Sequence, residues 1–140
     1  MGAWGTGPFD NDHALDLFLE LEDAAPDAAA QRLREVLRVA AEEDESYLES
    51  AAANEAVAAA AVVAFSYSQE DPTGNPRVAQ WLVERAPALG PADGVLAARA
   101  LDRVCGEHSE WVELWSDAGL EQEARAVADR LALTLSTSRR

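Results

Sequence analysis

The sequence predicts an all-α fold: a single compact domain of six or seven helices, with an ordered irregular N-terminal strap over residues 1–11 and a frayed tail over 136–140. Three observations predict it. Apolar residues recur at three- and four-residue spacing through most of the chain, and no segment alternates with period two over a strand's length. Residues 51–65 are apolar throughout except Asn54 and Glu55, and a helix apolar on all sides is a buried one, which places it at the centre of the fold. At 140 residues the chain can bury about two thirds of its unfolded surface and hold a core without disulfides.

The strap is Met1-Gly2-Ala3-Trp4-Gly5-Thr6-Gly7-Pro8-Phe9-Asp10-Asn11. Its glycines and proline rule out a regular element, while Trp4 and Phe9 are too apolar to stay in water, so two rings pin it across the helices, close to helix three or the C-terminal helices. Helix one starts near Asp12, with Asp10 or Asn11 as N-cap. Its apolar face includes Leu17, Phe18 and Leu21, and Asp12, Asp16, Glu20 and Asp23 form an acidic stripe on the other side, at some cost in like-charge repulsion. Pro26 opens helix two, whose buried stripe is Leu33, Val36, Leu37 and Ala40; Arg32, Arg34 and Arg38 are the natural counterions for the acids of helix one.

The acidic run 42–45 closes helix two, and Ser46-x-x-Glu49 reads as a capping box opening helix three near Tyr47. Within helix three Glu55 needs a partner, because an unpaired buried carboxylate is costly: an arginine, a backbone N–H or the strap. Residues 66–75 form the one substantial loop, and Asn75-Pro76 caps helix four, which buries Val78, Trp81, Leu82 and Val83 and stops at Pro87. Gly90-Pro91 starts helix five, with Ala97, Leu101, Val104 and Cys105 on one face and Arg99 and Arg103 placed to meet acids of helix one; Gly106 ends it. His108 or Ser109 caps a short helix holding Trp111, Leu114 and Trp115, Gly119 breaks it, and a last helix buries Ala124, Val127, Ala128, Leu131 and Leu135.

The opening Met-Gly-Ala-Trp-Gly-x-Gly-x-Phe-x-Asn-Asp, followed by Ala14, Leu15 and Asp16, resembles the bacterial family called Domain of Unknown Function 4259. The likeness continues in order through the alanine-rich helix with Glu55, through Trp81, and through Ser109-Glu110-x-x-Glu113-Leu114-Trp115. It implies a fold and a bacterial source and no activity. His13, where an acidic residue is usual, and Trp111, where leucine is expected, depart from the pattern.

Charge is the strongest global signal: 26 acidic residues face 11 arginines with no lysine, a formal net of −15. That argues against nucleic acid, whose phosphates need a basic face, and against anionic membranes. The longest apolar run, 56–65, is half of what a membrane span needs, and with no basic and apolar stretch before a cleavage site no secretory leader is expected. A lone cysteine, Cys105, suits a reducing cytoplasm. Cys105-x-x-His108 offers two metal ligands where zinc wants three or four; Gly5-x-Gly7 lacks the rest of a dinucleotide loop; no nucleophile elbow, P-loop or zinc-protease motif is present. No metal or cofactor is expected.

Two functional classes follow. One is a small acidic non-enzymatic interaction domain, an inhibitor or immunity-type partner of a basic protein. The other is a carboxylate-based metal-binding protein or hydrolase using Asp10, Asp12, Asp16 and Glu55. Candidate binding residues for either are Trp4, Asp10, Asn11, Asp12, Asp16, Glu55, Trp81, Ser109, Glu110 and Trp115. The sequence leaves the oligomeric state open, and each of these residues also has a structural reading, as cap, salt-bridge partner or core.

Overall fold

The computed structural model describes residues 5–42, 47–67 and 71–137, and within them it is all-helical. Seven helices follow in order: α1 (Asp12–Asp23), α2 (Pro26–Ala41), α3 (Ser50–Phe65), α4 (Pro76–Arg85), α5 (Pro91–Val104), α6 (Glu110–Asp117) and α7 (Glu121–Thr137). The centre is α3, which touches each of the other six. Its alanines explain how: residues 56–64 are all buried, and small side chains let neighbouring backbones approach from every side. α2 and α5 pack against α3 and against each other, forming the tightest part of the core.

Helix starts follow the local chemistry. Asn11 caps α1 by accepting from Ala14 N–H at 2.8 Å. Asn75 caps α4 by accepting from the N–H groups of Arg77 and Val78, with Pro76 in the first turn. Gly90 precedes Pro91 at the start of α5, where the Asp93 carboxylate accepts from Gly90 N–H at 2.8 Å.

α3 begins differently from expectation. The chain at Tyr47–Glu49 is extended, and the helix starts at Ser50 rather than near Tyr47. Its cap comes from 60 residues away, with Ser50 N–H donating to Glu110 Oε1 at 2.7 Å, while the Glu49 side chain caps nothing. Ser46, the other half of the expected capping box, lies outside the described residues. Val83, expected inside, is 74% exposed: α4 is a short helix touching the core along one narrow face, Val78, Trp81 and Leu82, and Val83 falls off it.

Candidate functional site

The described part of the strap, from Gly5, is built around Asp10. Gly7 N–H donates to Asp10 Oδ2 at 3.0 Å, and Asp10 N–H donates back to the Gly7 carbonyl at 3.1 Å. A β-carbon on either Gly5 or Gly7 would stand 2.6 Å from that same Oδ2, so the Gly-x-Gly spacing is what lets two backbone positions close on one carboxylate. Of the two residues expected to cap α1, Asn11 does so, while Asp10 shapes the turn before it. Phe9 is buried edge-on to Phe18 at 6.4 Å, Phe18 meets Trp81 edge-on at 5.7 Å, and the Arg77 guanidinium lies 5.4 Å over the Phe18 ring. Gly7 and Pro8 share a cleft with Val127, Leu131 and Thr134, so the strap runs beside α7. Trp4 lies outside the described residues. Trp81 is core, 5% exposed, and its Nε1 has no hydrogen-bond partner among the described residues.

A second cluster gathers where α1, α2 and α3 meet. Arg32 of α2 donates from Nε to Glu20 of α1 at 2.8 Å, and its Nη atoms lie 3.6 Å from Glu55 of α3 and 3.7 Å from Glu35 on its own helix. The Glu20 hydrogen bond chiefly holds the guanidinium charged. Burial pushes the Glu55 carboxyl above the usual range, and Glu20 and Asp16 add to the rise while Arg32 and His13 oppose it. Glu55 therefore has the arginine partner its position demands.

The remaining acids of helix one are placed otherwise. Asp10 is committed to Gly7, and Asp12 and Asp16 are exposed. Among the described residues no group of three or more histidines, cysteines or carboxylates is arranged to hold a metal ion. Arg34, expected to serve helix one, instead grips Asp93 of α5, with Nε to Oδ1 at 2.8 Å and Nη2 to Oδ2 at 3.1 Å. Its helical turn faces α5, not α1. Glu22 of α1 is met by Arg77 of α4 at 2.7 Å, a pairing with no signature in sequence. Arg103, expected to reach helix one, folds back to the carbonyls of Glu107 and His108.

The third locus joins the segment before α3 to the segment before α6. Leu48 N–H donates to the His108 carbonyl at 2.8 Å and Glu110 N–H donates to the Leu48 carbonyl at 2.9 Å, a one-residue parallel bridge between two segments that join helices. His108 takes φ 57°, a left-handed conformation that turns the chain between α5 and α6. Ser109 sits at the N-cap position of α6, but its hydroxyl donates back to the Val104 carbonyl at 2.6 Å and does not cap. Ser109 and Glu110, both sequence candidates, thus tie α5, α6 and the start of α3 together. Trp111 is buried and Trp115 packs half-buried against the core.

Beside this junction opens a cleft of about 780 Å³, whose lining includes Tyr47, Cys105, Glu107, His108, Val112, Glu113 and Arg125. Burial pushes the Cys105 thiol up, against the pull of Arg125, so it is a poor nucleophile. Arg125 is already engaged by Glu121 at 2.7 Å and by the Cys105 carbonyl at 2.9 Å. Tyr47, 48% exposed, shares the lining with Glu113; desolvation first, then Glu113, then the charges of Glu110 and Glu49, push its phenol up to about 12. Sequence reasoning passed over Tyr47, Val112 and Arg125, since nothing in their spacing shows that the two segments meet.

Fold and sites together define an acidic all-α domain assembled round an alanine-rich central helix, with Arg32, Arg34 and Arg77 tying helices together. The chain belongs to the family described as domain of unknown function (DUF4259), whose model matches residues 2–126. The match takes in the strap, both inter-segment ties and the first part of α7. No curated protein and no solved structure matches the chain.

Proposed function

We propose that this domain is a non-enzymatic interaction module of the inhibitor or immunity type, acting in a reducing cytoplasm on a basic protein partner. The observation that carries the reading is a charge surplus the fold does not consume. Against 26 acidic residues stand 11 arginines, and Arg32, Arg34, Arg77 and Arg125 are already held in ion pairs inside the domain. Exposed acids such as Asp12, Asp16 and Asp23 then present a field that speeds encounter with a cationic surface. Of the four carboxylates a hydrolase would use, Asp10 is held in the strap turn and Glu55 lies against Arg32, which leaves Asp12 and Asp16 alone at the surface.

The test is affinity capture from the source cell followed by calorimetry of the captured protein at about 50 and 300 mM salt. The reading expects a basic partner whose affinity falls roughly tenfold or more over that range. A partner without basic character, or a salt-insensitive affinity, overturns it. Thermal unfolding with EDTA and then Mg²⁺, Mn²⁺, Ca²⁺ or Zn²⁺ checks the competing class. A bound metal at one hundred times its dissociation constant adds about 2.7 kcal/mol. A metal-specific rise abolished by Asp12→Asn and by Glu55→Gln would replace the interaction module with a carboxylate-based metal protein or hydrolase.

A further inference from the structure

We infer that the Tyr47 cleft is the docking point for the basic partner and that it takes an arginine side chain from it. The inference rests on the interaction reading and adds its location. Tyr47 is an exposed aromatic in the lining of a cleft of about 780 Å³, not one packed into the core. Its ring offers a face on which a guanidinium stacks, and Glu113, in the same lining, supplies a carboxylate beside it. Val112, partly buried in the lining, offers an apolar wall for the methylenes of an incoming side chain.

Charge favours a cation there. Glu113, Glu110 and Glu49 all act on the Tyr47 phenol, and Glu107 lies in the lining. The opposing Arg125 is neutralised by Glu121. The walls are also fixed before anything binds. The Leu48–Ser109 bridge and the Glu110 cap hold Tyr47 against the start of α6, so little order has to be gained on binding. Tyrosine is among the residues enriched at interface anchors, and carboxylates beside it match the charge of an arginine.

The experiment is an ¹⁵N-HSQC titration of the full chain with an acetylated, amidated Gly-Arg-Gly-Arg-Gly peptide, and with the same peptide carrying citrulline for arginine. The expected result is saturable shifts centred on Tyr47, Val112 and Glu113 with the arginine peptide and none with citrulline. Tyr47→Ala and Glu113→Gln should each weaken binding about fivefold, and Tyr47→Phe, which keeps the ring, should weaken it less than Tyr47→Ala. Both positions are exposed enough for the variants to fold, and their spectra check it. Saturable arginine binding centred on α1, unaffected by these variants, overturns the cleft and leaves the basic-partner reading standing. Equal binding of the citrulline peptide overturns the cleft as a cation site. Absence of any arginine binding overturns the cleft, and the salt dependence of the captured partner then decides the basic-partner reading.

Discussion

The Asp93 carboxylate accepts from both Arg34 nitrogens across the α2–α5 contact and from Gly90 N–H at the head of its own helix. The Arg34 hydrogen bonds, then the Gly90 bond, hold it below the usual carboxylate range despite its burial. A carboxylate lowered in the folded state contributes stability that is complete above its unfolded value of 3.8 and is lost as the pH falls through the folded value. Asp93→Asn should therefore cost roughly 2 kcal/mol in urea unfolding at neutral pH, with the difference closing as the pH falls below 3.8 and through the folded value. Glu55 has the opposite sign. Its carboxyl is raised, so its charged form opposes folding above the ordinary value of 4.5 and the opposition vanishes below it. Glu55→Gln should be neutral or slightly stabilising at neutral pH and indistinguishable from wild type at about pH 4; a large loss at neutral pH would mean that the Arg32 contact outweighs the cost of burying the charge.

At the scale of elements, α3 carries the fold through what it lacks. Ala60 is fully buried, and Ala60→Val adds volume where neighbouring helices already touch the backbone, which should cost about 1–3 kcal/mol by calorimetry. Glu110→Ala removes the acceptor at Ser50 N–H and should cost roughly 1–2 kcal/mol, as loss of a helix cap does. Most elements were legible in the sequence because their signals are local: Asn11, Asn75-Pro76 and Gly90-Pro91 each start a helix with residues adjacent to it. The start of α3 was not. Its cap belongs to Glu110, and a donor satisfied from 60 residues away leaves no pattern near Ser50. The fold class followed from periodicity; the pairings followed from topology, which is why Arg34 went to Asp93 and Glu22 to Arg77.

For the whole molecule, a net charge of −15 on a small domain is a self-repulsion that the internal ion pairs only partly offset. Screening relieves it, so Tm should rise by about 3–5 °C between roughly 20 and 300 mM NaCl at neutral pH, whereas a fold resting on surface ion pairs would melt earlier. The acidic balance was plain from composition, and Glu55 was recognisable as a lone carboxylate in an apolar helix in need of an arginine. The Tyr47 cleft was invisible, because it exists only where residues 47–50 are laid beside 105–113 and no motif spans that gap.

The bridge between Leu48 and Ser109, with the Glu110 cap beside it, also orders the events of synthesis. While a ribosome is still short of residue 108, the nascent chain has its central alanine-rich segment but nothing to satisfy Ser50 N–H or the backbone groups of Leu48. The start of the innermost helix therefore stays open until residues 108–110, in the last quarter of the chain, have been made. Completion is thus a late step, tied to the segment that also builds the cleft wall, and a chain stopped before it would carry neither a finished core nor the surface proposed to meet a partner.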